Sequence, residues 1–350
     1  MRHLFRLLGL VLCITVVFSG SATALSGDEE VFGDAFCEPL NPKPGTPFGV
    51  GQVAELNDVF YGYLGDTIYA WKPGEAQPQQ YSSPLPAVPE WKEEWRDQPL
   101  KALSADDQTA LTGAVEYIAA GDGALWGYNT LSGRYGQISE QGIAWATQTL
   151  DTAGLFQGDT IMLNVVPNQS FVSDGKLYIF GDYSNPTATH SDNLILVRFD
   201  LSSGKPDILE TKTAVGCCLY KPGFFLLVRR GDSSSMILST LDMATGALED
   251  LPLTVPFPDR TREGLESVGG LTYDPTNDRI LFSMDSQVWA SEGGKPFASV
   301  AKLPMESCYS MPAWVLPDGR YAILSCSLLI LGIDRRLCLL KVGENIRARR

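Results

Sequence analysis

Residues Arg198–Lys205 read RFDLSSGK and residues Thr240–Ala247 read TLDMATGA: in each, a strand-like run ends in Asp, three turn residues and Gly. Asn129 and Gly133, within GYNTLSGR (Gly127–Arg134), repeat that spacing. An Asn or Asp side chain caps the amides of such a turn, and Gly takes the left-handed backbone that residues with a β-carbon resist. One such turn means little. Here YAWKPGE (Tyr69–Glu75) and WASEGGK (Trp289–Lys295) add looser copies, and all five keep phase with a second pattern.

That second pattern is a turn residue followed by a β-rich run: Asp66-TIY, Gly123-ALW, Gly175-KLYIF, Gly223-FFLLV, Asp278-RILF and Gly319-RYAIL. The anchors are 57, 52, 48, 55 and 41 residues apart, close to the roughly 40–50 residues of a propeller blade. The expected fold is therefore all-β, a β-propeller of six four-stranded blades, with seven also compatible. Each such sheet has two apolar faces, and neighbours around a ring cover both. Closure is expected to bring Phe48–Leu56 into the last blade. A solenoid or an irregular β-sandwich is the competing architecture. Helical signals are few: Ser104-Ala-Asp-Asp107 caps a short helix before Leu111, beside an insertion spanning Glu90–Gln108.

The N-terminus reads as an export signal over residues 1–24. Arg2 and Arg6 precede an apolar run, Leu7–Phe18, and Ala22-Thr-Ala24 is a small-residue cleavage site, with cleavage expected after Ala24. The run is shorter than the roughly 20 residues of a membrane span. Residues 25–47 then form an N-terminal extension, 48–343 the propeller and 344–350 a tail or linker. The expected location is extracellular or at the cell surface, with no membrane span in the mature chain.

Hydrophobic residues make up 44% and charged residues 19%, which fits a chain with a core. The net charge of −14 disfavours nucleic acid as a partner, because phosphate backbones need the opposite sign. His3 leaves with the signal, so His190 is the one histidine of the mature chain; zinc sites built on several histidines are excluded. His190 reads as a loop residue, and no G-x-S-x-G elbow supplies a nucleophile. Asp66, Asp122, Asp174, Asp200, Asp242 and Asp318 fall in turns, where capping accounts for them. Calcium could use such turns, but neither an EF-hand nor a Gly-Gly-x-Gly-x-Asp repeat supports it, so no metal, cofactor or catalytic residue is assigned.

Six cysteines follow the signal. Cys308, Cys326 and Cys338 are close enough in sequence to be disulfide candidates in an exported chain, and the vicinal pair Cys217-Cys218 reads as core packing. Ligand-binding candidates are aromatic. Trp91 and Trp95 in PEWKEEW share one face of a helical insertion, suited to a protein or sugar unless the insertion packs as a flap; Tyr183 is weaker. Tyr69, Trp126, Tyr178 and Trp289 read as core.

The run Pro312-Ala-Trp314-Val-Leu-Pro-Asp318-Gly319-Arg320 resembles the P-x-W-x-x-D-G pattern of TolB-type propellers, in the TolB-like and quinoprotein-like repeat superfamily, with one extra residue before Asp318. AAGDGALWGYNTLSG (Ala119–Gly133) and LPMESCYSMPAWVLPDGRYAI (Leu303–Ile323) are similar to N-terminal propeller modules of large bacterial solute-binding proteins of ABC importers. The resemblance implies a bacterial exported propeller that binds or scaffolds a protein, peptide or glycan at the cell surface, its sharper form being an importer accessory domain. The alternative is a propeller enzyme, such as a lactonase or carbohydrate-active hydrolase using channel carboxylates. An enzyme predicts converging carboxylates or a metal in the channel; a scaffold predicts a polar channel and an apolar patch elsewhere.

Overall fold

The computed structural model describes residues 36–39, 52–73, 75, 77–90, 92, 100–152, 162–184, 194–209, 214–230, 236–255, 271–284, 287–302, 308–329 and 332–341. The expected signal, the tail and His190 lie outside the described residues. Strand β1 (Phe36–Pro39) comes first and belongs to the last sheet. Sheet I is β2 (Gln52–Leu56), β3 (Val59–Leu64), β4 (Thr67–Trp71) and β5 (Gln79–Gln80). A helix, α1 (Ala105–Gly113), then leads to sheet II: β6 (Tyr117–Gly121), β7 (Ala124–Tyr128), β8 (Tyr135–Ser139) and β9 (Gly142–Trp145). Sheet III is β10 (Met162–Ser173), β11 (Lys176–Ser184), β12 (Leu194–Asp200) and β13 (Pro206–Leu209). Strand β10 also runs parallel to β6 over two residue pairs, Phe171 with Ala120 and Val172 with Gly121, which hydrogen-bonds sheets II and III edge to edge into one eight-stranded sheet. Sheet IV is β14 (Ala214–Leu219), β15 (Phe224–Arg230), β16 (Met236–Asp242) and β17 (Leu248–Val255). Sheet V is β18 (Leu271–Asp274), β19 (Arg279–Met284), β20 (Gln287–Glu292) and β21 (Ala298–Lys302). Sheet VI is β22 (Cys308–Val315), β23 (Tyr321–Leu329) and β24 (Gly332–Lys341), with β1 paired antiparallel to β24 as its outer strand.

The apolar runs explain how the sheets stack. Side chains alternate across a strand, so a run of consecutive apolar residues belongs in a sheet covered on both faces. In β15, Phe225 and Leu227 pack between sheets III and IV, while Leu226 and Val228 pack between IV and V. Burying each contributes about 1.5–3 kcal/mol. The same division recurs at every junction. Ala54 and Tyr63 meet Val115 and Leu125 between I and II; Tyr128 meets Leu177 and Phe199 between II and III; Leu281 and Val288 meet Tyr321 and Leu340 between V and VI. A last cluster, Val53, Phe60 and Trp71 with Leu316 and Ala322, joins VI back to I. The chain is a β-propeller.

Closure differs from the sequence expectation. Phe36–Pro39, inside the expected extension, completes the last sheet, whereas Gln52–Leu56 is the inner strand of the first. The helix also runs to Gly113, past the expected end of the insertion at Gln108, with the Ser104 hydroxyl accepting from the Asp107 amide as its cap. Of the four repeated aromatics, Tyr178 is buried and Tyr69, Trp126 and Trp289 are half-buried.

Three copies of one turn stand out. In Asn129–Gly133, Asp200–Gly204 and Asp242–Gly246 the final glycine donates to the first residue's carbonyl and has φ of +70°, +70° and +72°. The leading side chain accepts from amides inside the turn: Asn129 Oδ1 from Ser132, Asp200 Oδ1 from Ser202 and Ser203, and Asp242 Oδ1 from Ala244 and Thr245. Bonds from the Ser202 hydroxyl first, then from Ser203, hold the Asp200 carboxyl down at about 2. Their places in the sheets differ, however. The Asn129 turn joins the second and third strands of its sheet, and the other two join the third and fourth. Asp66 likewise falls after β3, and its counterpart at the first hairpin is Asn57-Asp58, both at positive φ with no glycine to mark them.

Packing separates the three glycines. A β-carbon on Gly133 or Gly204 would lie 2.1 Å from the Leu150 carbonyl oxygen or 2.0 Å from that of Thr149, and on Gly246 it would meet nothing within 4 Å. Gly246→Ala is expected to cost about 1–2 kcal/mol from left-handed strain alone. Gly133→Ala and Gly204→Ala add displacement of backbone and are expected to cost more, each read as a larger drop in urea midpoint. Equal drops at all three positions would show that the approach of residues 149–150 is immaterial.

The junction of sheets V and VI adds a buried polar network. The Tyr321 hydroxyl donates to Asp274 (2.6 Å) and accepts from Arg279 (2.9 Å), which also reaches Glu292 (2.8 Å). Burial works against the charged Asp274, but bonds from Asn277, Tyr321 and the Asn277 and Thr276 amides outweigh it, leaving its pKa lowered. A carboxyl depressed on folding stabilises above its unfolded value, about 3.9, and that contribution fades as pH falls through the folded value. Asp274→Asn is expected to cost about 1.5–3 kcal/mol at pH 7 and to flatten the loss of urea midpoint between roughly pH 5 and 2. Parallel acid profiles for variant and parent would overturn this assignment.

Candidate functional site

The inner strands surround a cavity of about 290 Å³ to which every sheet contributes: Glu55 from β2, Ala120 from β6, Phe171 from β10, Cys218 from β14, Tyr273 from β18 and Trp314 from β22. These positions lie toward the ends of the inner strands, next to the first hairpin of each sheet, so the cavity is the channel mouth on that face. Its walls are mostly apolar. Phe171 stacks on Tyr178 with centroids 5.0 Å apart, Trp314 sits edge-on to Phe60 at 5.5 Å, and Tyr273 edge-on to Tyr220 at 4.4 Å. Each ring is thus braced from behind by a neighbour rather than free to swing.

Glu55 is the one carboxylate lining this cavity among the described residues. Its Oε1 accepts from the Asp58 amide at 2.7 Å, which ties it to the first hairpin. Burial, opposed by that bond and aided by the charge of Asp58, raises its pKa. Among the described residues no Lys or Arg pairs with it.

A groove of about 940 Å³ between sheets III and IV shares Leu219 with the mouth. Leu219 and Phe224 are 46% and 38% exposed, an apolar patch beside Tyr220, Pro222 and Pro275. The Lys221 ammonium stands 4.9 Å above the Tyr220 ring. Arg198 bonds to the Met243 carbonyl and to Asp207.

Of the turn aspartates, Asp200, Asp242 and Asp318 accept from amides of their own turns, whereas Asp122 serves a neighbouring one. Asp122 accepts from the Asp174 and Gly175 amides (3.0 and 2.7 Å) and so links sheets II and III; Asp318 accepts from the Arg320 amide and guanidinium. Trp91 and Trp95 lie outside the described residues. Tyr183 lies on β11 opposite Leu163, at the end far from the Asp174-Gly175 hairpin; its side chain is outside the described residues. So are those of Cys308, Cys326 and Cys338, whose strands place them opposite Ser327, Tyr309 and Ile323 respectively. Among the described residues no three potential metal ligands come together, and no helix is long and apolar enough to cross a membrane. Glu55 escaped sequence reasoning, although a charged residue in the strand run QVAEL just before the Asn57-Asp58 turn was the available signal.

The vicinal cysteines are divided by strand geometry. Cys217 packs in the core between sheets III and IV, and Cys218 against the core between IV and V. Burial pushes both thiols up; for Cys218 the neighbouring Cys217 adds to this and the Tyr273 backbone bond opposes it. Cys217 is buried and Cys218 half-buried at the cavity wall. Reactivity follows the thiolate, so Cys217 is expected to resist iodoacetamide in the native protein at pH 8 and to react once denaturant is added, as mapped by peptide mass spectrometry. Rapid native labelling of Cys217 would contradict its burial.

No family model matches the chain, and no curated protein matches it in sequence. Solved structures do match. A gluconolactonase from Xanthomonas campestris is 10% identical, with TM-score 0.51 over 89% of this chain and 91% of that one. Trypanosoma rangeli sialidase, in its covalent 2,3-difluorosialic acid intermediate, is 9% identical, with TM-score 0.51 over 89% of this chain and 59% of that one. TolB of Agrobacterium tumefaciens reaches TM-score 0.37 at 14% identity over 60% of this chain and 69% of that one, too low to carry an argument. Identities in this range show the fold alone.

Proposed function

We propose that the chain is an exported, six-bladed β-propeller that serves as a binding module for a protein, peptide or glycan at the cell surface, with the channel mouth as its ligand site. The observation that carries this reading is the cavity walled by all the inner strands, which shares Leu219 with a groove that exposes an apolar patch. Concave, mostly apolar sites with few polar groups are the usual form of ligand pockets. Sheet-to-sheet packing that returns from VI to I supports six blades. Export draws on Arg2, Arg6, Leu7–Phe18 and Ala22-Thr-Ala24, and the sharper form, an importer's accessory propeller, on the resemblance of Ala119–Gly133 and Leu303–Ile323.

A second reading, a lactonase or carbohydrate-active hydrolase, is favoured by the raised pKa of Glu55, since a general acid benefits from a proton held to higher pH. Glycoside hydrolysis ordinarily needs a second carboxylate about 5–10 Å away. The test is to screen the purified protein against glycan and peptide arrays and a panel of lactones and glycosides. Binding without turnover, weakened about tenfold or more by Leu219→Arg, is the expected result; Leu219 is exposed, so the variant should fold. Binding indifferent to Leu219→Arg would remove the mouth as the site. Turnover abolished by Glu55→Gln would establish the hydrolase instead.

A further inference from the structure

We infer that the channel mouth takes the cationic side chain of a basic peptide, pairing it with Glu55, while an adjoining apolar residue of that peptide lies on Leu219 and Phe224. This rests on the binding-module reading and names its ligand class. Glu55 stands on an apolar wall with the Asp58 amide as its described partner, and a half-buried carboxylate in such surroundings is completed by a cation. The aromatic faces and edges of Phe171, Tyr273 and Trp314 come from three other strands of the same cavity. Aromatic rings attract ammonium and guanidinium groups, and the methylene stem of Lys or Arg suits apolar walls.

Size and charge narrow the choice further. A cavity of about 290 Å³ sits at the low end of ligand pockets, roughly 300–1,000 Å³, and suits one side chain better than a sugar chain. The first hairpins around it carry Asp58, Asp122, Asp174, Asp278 and Asp318, against Lys221 in the corresponding turn of sheet IV and Arg320, which pairs with Asp318 in that of sheet VI. Net charge is −14 for the whole chain, so the approach favours a cationic partner over an anionic glycan or acidic peptide. Within the groove Asp174 and Asp242 stand against Lys176, Arg198 and Lys221, leaving its exposed apolar patch as the distinguishing feature.

The test uses the full chain on a random hexapeptide array, then calorimetry with acetyl-Gly-Lys-Phe-Gly-Gly-amide and its norleucine counterpart. Bound array peptides should be enriched in Lys or Arg beside an apolar residue. The lysine peptide should bind about tenfold tighter than the norleucine peptide. Glu55→Gln, which keeps an acceptor for the Asp58 amide, should erase that preference, and Phe224→Ala should weaken both peptides alike. Array peptides without basic enrichment, a preference that survives Glu55→Gln, or capture of glycans alone would overturn the inference and leave the binding module standing. Empty peptide and glycan arrays would overturn both.

Discussion

Each sheet of this chain is apolar on both faces, and neither face can be left to water. Phe225, Leu226, Leu227 and Val228 follow one another along a single strand and are all fully buried, alternately toward the sheet before and the sheet after. A two-layer sandwich would strand half of them on its outer surface. Stacking sheet on sheet removes the problem everywhere except at the first and last members, and packing Leu316 and Ala322 against Val53, Phe60 and Trp71 removes it there too. Strand β1, paired with β24, ties the start of the described chain to its end across the same closure.

The site follows from that arrangement. When sheets stand around an axis, their first strands face it, and whatever side chains those strands carry near their ends form the mouth. Glu55, Phe171, Tyr273 and Trp314 are therefore neighbours through the ring and not through any local motif. The same geometry accounts for Cys217 and Cys218. Adjacent in sequence, they serve two different cores, because consecutive residues of a strand point to opposite faces. The junction of V and VI departs from the apolar rule with Asp274, Tyr321 and Arg279. Apolar packing tolerates small sliding, whereas a buried hydrogen-bond network has one satisfied geometry.

Local chemistry was legible wherever one residue type answers one backbone demand. The Asn129, Asp200 and Asp242 turns close as their spacing indicates, down to the left-handed glycine and the side-chain acceptor. Their phase was less legible, since a turn sequence says that the chain reverses but not which pair of strands it joins. Asn57-Asp58 reverses the first hairpin without glycine, so the repeat was anchored one turn late, at Asp66. Glu55 was unremarkable as a charged residue near a turn, and only its place on the channel wall sets it apart.

By itself the sequence determined the all-β class, the recurrence of hairpins, the two-faced burial of the strands and the acidic balance of the chain. These are properties of a few residues at a time, set by backbone dihedrals, the period of a strand and the summed charge. Tertiary structure alone decided that Phe36–Pro39 completes the last sheet, that the vicinal cysteines part company, and that a carboxylate from the first sheet meets aromatics from the third, fifth and last. Those outcomes depend on which distant surfaces come together, and that is decided only when every apolar face has found its cover at once.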